Sequence, residues 1–316
     1  MNYPLVTIAI PTYNRAEGYL KEAIQSALDQ TYPNLEIIVS DNCSTDNTES
    51  MVKSFSKGRL KYIRHKNNIG ASNNFNYCLQ KARGDFFLLL HDDDRIDHDF
   101  VETCIKKINS ITEIGIIRTG TRVIDEKGNI TREHPNRAEG LSTGDFFRFW
   151  FSWKTALYLC STLFNTKRLR EIGGFKSKHN LFQDVFAELK LAAKYDRIDI
   201  EDIKSSFREH ASELTFASNV KNWCEDSLLL LNLTCELVPN EKESIRKEGL
   251  LYFSTFNYRL AKKIRSPLNR FVAYFTLIKA FKWVFLRQFF MQPIYPTPIY
   301  PYLQLIKRKL VSHVEK

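Results

Sequence analysis

Three adjacent aspartates close an apolar run in "LLLHDDDRI", residues 88–96. Carboxylates this close raise one another's pKa values and repel, so something must offset them. Water around a turn can do so, and so can a divalent cation. Mg²⁺ and Mn²⁺ take oxygen ligands, commonly one or two carboxylates plus the phosphates of a substrate. Two other polar clusters, "PTYNR" (11–15) and "SDNCSTDNT" (40–48), also follow β-branched runs. A fourth segment, "NNIGASNN" (67–74), offers Gly70, where a backbone can approach a ligand closely.

These clusters need a scaffold that gathers them, and the apolar periodicity supplies one. Residues 6–10 read as a strand, and 16–30 as a helix with Leu20, Ala23, Ile24, Ala27 and Leu28 at helical spacing. A second strand covers 35–39. Thr45 and Asp46 can cap a helix that starts near Asn47. A third strand at 60–64, a helix at 70–82 and a fourth strand at 85–90 follow. Apolar runs separated by helices indicate an α/β fold with a parallel sheet covered on both faces. Ligands in such sheets bind beyond the carboxyl ends of the strands. The clusters after the first, second and fourth strands therefore meet at one sheet edge. Residues 98–217 are less regular: a helix at 98–110, a strand at 114–118, a hairpin around "DEKGN", helices near 143–152 and 182–194, and a strand over 157–165. Residues 218–290 read as mostly helical.

Seven pieces occur in order: "VTIAIPTYNR", "IIVSDNCSTDNT", "YIRHKNNIGASNN", "ARGDFFLLLHDDD", "IGGF", "QDVFAELKLA" and "FREHASELT". Together they resemble the family 2 glycosyltransferases with a GT-A fold, over roughly residues 5–216. The resemblance implies a mostly parallel sheet flanked by helices. It also implies transfer of one sugar, with inversion, from a nucleotide-diphosphate sugar, a UDP-sugar first among donors. On this reading residues 1–217 form the GT-A catalytic domain, with a nucleotide-binding half at 1–97 and an acceptor-side half at 98–217. Residues 218–316 form a helical, basic extension.

Carried over residue by residue, the resemblance places Pro11, Tyr13, Arg15, Asp41, Asn68 and Gly70 on the nucleotide, with Asp41 on the base. A divalent cation, Mn²⁺ or Mg²⁺, would neutralise the departing diphosphate as a Lewis acid. Its frame is either Asp92/Asp94 or Asp93/Asp94, because His91 stands where many relatives have an acid. Asp94 serves in both frames, and Asp92 or Asp93 would hold the ribose. His210 matches a family histidine near metal and diphosphate, and Arg208 would neutralise the same phosphates. After the turn at Gly173-Gly174-Phe175 comes Gln183-Asp184 at a helix start. Asp184 is thus the expected general base, with Gly174 and Gln183 on the acceptor side.

Charge and composition set the remaining bounds. In 316 residues, 43% hydrophobic and 13% aromatic content exclude a disordered chain. Six cysteines without a C-x-x-C pair favour reduced thiols over a disulfide framework or a zinc site. No signal peptide precedes the first strand, so a cytoplasmic location is expected. Residues 218–316 carry 16 Lys/Arg against 7 Asp/Glu, and no acid lies between Glu248 and Glu315. The run 271–291 is broken by Lys279, Lys282 and Arg287, which disfavours an ordinary spanning helix. Tyr274, Leu277, Ile278, Phe281, Val284 and Phe285 share one helical face. That face suits either an anionic bilayer surface or packing on the catalytic domain. A basic segment, "LQLIKRKLVSHVEK", follows the Pro-rich break "QPIYPTPIYPY". The reading taken forward is membrane docking through residues 259–316, with a lipid-linked oligosaccharide acceptor at the inner face of the membrane. A sequence pI near 9.2 raises nucleic-acid binding as a rival, but no recognition module is present, so no nucleic-acid partner is expected. An inert assembly partner is the other rival, and the intact acidic motif speaks against it.

Overall fold

The computed structural model describes residues 4–55, 58–108, 114–210 and 219–291, with side chains described as far as Lys282. The first third alternates as β1 (Val6–Thr12), α1 (Leu20–Leu28), β2 (Leu35–Asp41), α2 (Thr48–Ser54), β3 (Leu60–Arg64), α3 (Ala71–Lys81) and β4 (Phe86–Leu89). β3, β2, β1 and β4 lie side by side in parallel. Every residue of β1, β2 and β4 is buried, as expected of strands covered on both faces. Alternate side chains serve opposite layers. Ile8, Ile10, Leu88 and Leu90 pack with Leu20, Ala23, Ile24 and Ala27 of α1, whereas Ala9, Phe87 and Leu89 pack with Cys78 and Leu79 of α3.

Beyond β4 the sheet becomes mixed. The chain continues through β5 (Arg95–Ile96), α4 (Phe100–Lys106), β6 (Ile114–Ile124), β7 (Ile130–His134), α5 (Thr143–Phe151), β8 (Thr162–Asn165), α6 (Thr166–Glu171), α7 (Gln183–Lys194) and β9 (Asp196–Arg208). Among the described residues the order is β3-β2-β1-β4-β8-β6-β9-β5, with β7 paired to β6. β8 runs antiparallel between β4 and β6, and β9 runs parallel to β6. The strand expected over 157–165 is confined to its last four residues. Ser161 Oγ and Thr162 Oγ1 both donate to the Tyr158 carbonyl and hold Leu159–Ser161 in a 3₁₀ turn. β9 and the two-residue β5 are additions to the sequence reading, and their antiparallel pairing sets Arg95 opposite Ser206.

Helices α8 (Val220–Leu237), α9 (Lys242–Lys262) and α10 (Pro267–Met291) complete the described chain, with α10 leaving helical geometry at Lys282. They share a hydrophobic cluster with α5 and α7, centred on Trp150, Phe151, Phe182, Trp223, Tyr252 and Phe253. One expectation is corrected here. The face of α10 with Tyr274, Leu277, Ile278 and Phe281, expected toward lipid, packs on the protein, with Leu277 and Phe281 buried. α8 and α9 leave apolar side chains uncovered by each other, and α10 lies across them. Val284, Phe285 and Arg287 fall beyond the described side chains, and 292–316 lies outside the described residues. No described helix is long and apolar enough to cross a membrane.

Candidate active site

The loops at the carboxyl ends of β1, β2 and β3 are laced together by short polar side chains. Asn14, at φ 52°, donates its N–H to Ser44 Oγ, and its Oδ1 accepts from Thr45 N–H. Asn42 Nδ2 donates to Asn68 Oδ1, which also accepts from the Gly70 N–H. Asp41 is fully buried beneath this floor. Its carboxylate accepts from Ser44 N–H and Oγ and from the Tyr62 hydroxyl. Gly70, at φ 82°, opens α3, and a Cβ there would meet nothing within 4 Å. Pro11 is buried in β1, while Tyr13 stands 44% exposed above the floor. The structure therefore brings the expected nucleotide side chains to one edge, with Asp41 committed to internal partners.

The triple aspartate turns away from β4 at the same edge. Thr12 Oγ1 donates to Asp92 at 2.7 Å, and Arg15 Nε lies 3.7 Å from the same carboxylate. Burial and the neighbouring Asp93 push the Asp92 carboxyl up to about 6. Asp94 is almost fully buried, and burial followed by the charge of Asp93 holds its carboxyl well above the usual range. Clustered carboxylates of this kind are relieved when a cation arrives.

Ligand atoms of His91, Asp93 and Asp94 lie within 4.8 Å of one another. His91 Nε2 is buried with no hydrogen-bond partner among the described residues. Two carboxylates and an imidazole with an unused nitrogen fit a divalent cation. The sequence reading counted Asp94, Asp92 and His210 as ligands. Asp94 is in this group, but Asp92 faces Thr12 and Arg15, and His210 Nε2 stands 2.9 Å from Asp93 Oδ2. His91 is not among the expected ligands, although its position at the head of the motif is the available signal.

Arg208 departs from its expected task. Its side chain is buried, with Nε on the Asp93 carbonyl, one terminal nitrogen on the Asp125 carbonyl, and the other on Glu22 at 2.7 Å. Its guanidinium also caps the Tyr19 ring at 4.0 Å, and its backbone N–H donates to Asp94. With all three nitrogens turned inward, Arg208 fastens the aspartate turn rather than facing the solvent side where phosphates would sit. β9 makes this possible, because it carries Arg208 and His210 alongside a turn more than a hundred residues earlier.

The residues expected on the acceptor side gather around α3 and α7. Asp184 is half-buried in the first turn of α7. Burial raises its carboxyl above the ordinary range, while the Val185 N–H and the charge of His91 oppose the rise. Gln183 Oε1 accepts from Ser72 Oγ of α3 at 2.7 Å. Asn76, also on α3, exchanges two hydrogen bonds with the backbone of Phe175, and Gly174 sits directly against it. A polar cleft of about 200 Å³ lies between Gly70, Ser72, Asn76, Phe175, Lys176 and Asn180. Asn76 and Ser72 were missed by the sequence reading, since nothing local distinguishes them from surface helix residues.

The model of glycosyl transferase family 2 matches residues 7–173. The chain belongs to this family. An uncharacterised glycosyltransferase of Rickettsia bellii is 32% identical over 259 residues, covering 79% of this chain and 36% of that protein. A Campylobacter jejuni protein named GalNAc(5)-diNAcBac-PP-undecaprenol beta-1,3-glucosyltransferase is 27% identical over 237 residues, 69% of this chain and 75% of its own length. The chain therefore spans just over a third of the Rickettsia bellii relative. Among solved structures, S. aureus TarS superposes with a TM-score of 0.68 at 19% identity, over 87% of this chain and 49% of that one. The mannosyltransferase PcManGT of Pyrobaculum calidifontis, in complex with GDP-Man and Mn²⁺, gives 0.59 at 18%, over 98% and 81%. These likenesses show the fold, a GT-A fold with a mostly parallel sheet and C-terminal helices. Within family 2, this chain places an imidazole at the head of its acidic motif.

Proposed function

We propose that the protein is an inverting glycosyltransferase. It moves one sugar from a nucleotide-diphosphate sugar, a UDP-sugar first, to a lipid-linked saccharide in surface-polysaccharide assembly of the O-antigen or capsule type. The observation that carries this reading is the gathering of His91, Asp93 and Asp94, whose ligand atoms lie within 4.8 Å of one another at the carboxyl edge of the sheet. A raised carboxyl at the head of α7 is suited to take a proton, because a base works best with a pKa near the working pH. The acceptor hydroxyl oxygen bonds to the anomeric carbon, its proton passes to Asp184, and the bond from that carbon to the diphosphate breaks. Asp93, Asp94 and His91 would hold the cation, Mn²⁺ or Mg²⁺, which when bound supplies positive charge to the departing diphosphate. Thr12 and Arg15 orient Asp92 toward the ribose, and the exposed Tyr13 offers a ring for the base.

The name of the Campylobacter relative supports an acceptor linked to a polyprenyl diphosphate. Structures of TarS with UDP-GlcNAc and with UDP support a uridine donor. Peripheral placement on the cytoplasmic membrane face follows from such an acceptor. The test is release of nucleotide diphosphate from UDP-Glc, UDP-GlcNAc and GDP-Man, with and without Mn²⁺ and a lipid-linked acceptor. Acceptor-dependent release from one donor supports the reading, and no release from any donor refutes it.

A further inference from the structure

Nine large apolar side chains are exposed among the described residues, and four of them lie together on α10. Leu268, Phe271, Val272 and Phe275 are 72, 39, 56 and 53% exposed. Their spacing of i, i+3, i+4 and i+7 puts them on one helical face. The opposite face, with Ala273, Leu277 and Phe281, is buried on α8 and α9. α10 is thus apolar on two sides, and only one of them is covered by described residues.

Positive charge frames the open stripe. Lys262, Lys263 and Arg265 are exposed just ahead of it, and Lys279 and Lys282 just beyond it. Lys279 Nζ lies over the Phe275 ring at 4.6 Å, so the charge adjoins the apolar surface directly. No acid between Glu248 and Glu315 offsets these cations in sequence. Three occupants compete for such a face. A second copy would set one basic frame against another. The segment 292–316, with Lys307, Arg308, Lys309 and Lys316 against Glu315 alone, would likewise bring cations to cations. An anionic lipid surface satisfies both features, since rings and aliphatics enter the headgroup boundary while lysines meet lipid phosphates.

We propose that the Leu268–Phe275 face of α10 docks the protein on an anionic bilayer. This face differs from the one that the helical periodicity first suggested. The proposal deepens the lipid-linked-acceptor reading, because it would hold the protein at the surface where such an acceptor resides. It is tested without donor or acceptor, so its outcome is separate from that of the enzymatic reading.

The full chain is floated with vesicles of phosphatidylethanolamine and phosphatidylglycerol, and with vesicles of phosphatidylcholine alone. The wild type is expected to float with the anionic vesicles and to be released as salt rises. Leu268→Ser/Phe271→Ser/Val272→Ser/Phe275→Ser is expected to lower that partition roughly tenfold or more. A second variant, Lys262→Glu/Lys263→Glu/Arg265→Glu, is expected to lose anionic selectivity. Circular dichroism and donor turnover should match the wild type in both, since these side chains lie away from the cleft. Wild-type protein that ignores anionic vesicles overturns the proposal, as does a serine variant that floats equally well. A serine variant that turns a dimer into a monomer by light scattering, with flotation unchanged, assigns the face to a second copy and also overturns it.

Discussion

Asp226, fully buried on α8, accepts hydrogen bonds from Ser177 Oγ at 2.8 Å and from the backbone N–H groups of His179 and Leu181. The C-terminal helices therefore hold the loop that leads from the Gly-Gly-Phe turn to Asp184. Asp226→Ala removes the acceptor that these partly buried groups share, and a typical hydrogen bond contributes about 0.5–1.5 kcal/mol. The variant should melt earlier and show a raised acceptor KM with a smaller change for the donor. Equal effects on both substrates would speak against a role in placing this loop.

Asn76 and Gly174 form a matched pair. A Cβ at Gly174 would fall 2.3 Å from Asn76 Oδ1, on a backbone at φ +74°. Gly174→Ala should destabilise by about 1–3 kcal/mol, part from the left-handed backbone and part from the collision. Adding Asn76→Ala relieves the collision, while losing its two bonds to Phe175 as the single change does, so the double variant should cost less than the two single changes summed. Melting curves of all four proteins check this, and strict additivity would contradict it.

Glu188 lies one helical turn beyond Asp184, buried 3.7 Å from Arg118, which in turn bonds Asp199. Burial pushes its carboxyl up to about 8, against an opposing pull from Arg118. Its folded pKa lies above the ordinary 4.5, so the folded state holds the proton more tightly than the unfolded state. That stabilisation is complete below about pH 4.5 and is lost as pH rises through 8. Glu188→Gln lacks this loss, so its melting temperature should gain on the wild type between pH 5 and pH 8.5. A constant gap between the two proteins across that range would refute the assignment.

Much of this was legible in the sequence. β1, β2 and β4 are continuous apolar runs, so the strands themselves and their burial on both faces could be read directly. Asp184 is singled out as the expected base because the resemblance places an acid after the Gly-Gly-Phe turn at a helix start, and the structure puts it in the first turn of α7. β9 was not legible, because "DRIDIEDIKSSFR" carries charges that read as solvent-facing. Asp199 is nonetheless buried, with Arg118 and Arg197 beside it, and pairing with the distant β6 is what makes the segment a strand. Arg208 shows the same limit, since a cation near a phosphate site reads as a ligand until its three partners are visible. α10 has two apolar faces, and periodicity alone does not say which of them meets protein.

The cation-fitting group gives its own prediction. Asp94→Asn should abolish any Mn²⁺-dependent rise in melting temperature seen with UDP, since ligand binding to the folded state raises it by mass action. His91→Ala should weaken that rise while leaving nucleotide binding without metal in place. A Mn²⁺ response that survives Asp94→Asn in full would place the metal elsewhere.

The most direct test concerns Asp184 itself. Asp184→Asn keeps the shape of the side chain and removes its capacity to take a proton. Transfer to acceptor should fall by about 10²- to 10⁴-fold, the usual contribution of a positioned base, while the melting shift with UDP and Mn²⁺ stays intact. An Asp184→Asn protein that transfers sugar at the wild-type rate would contradict the account.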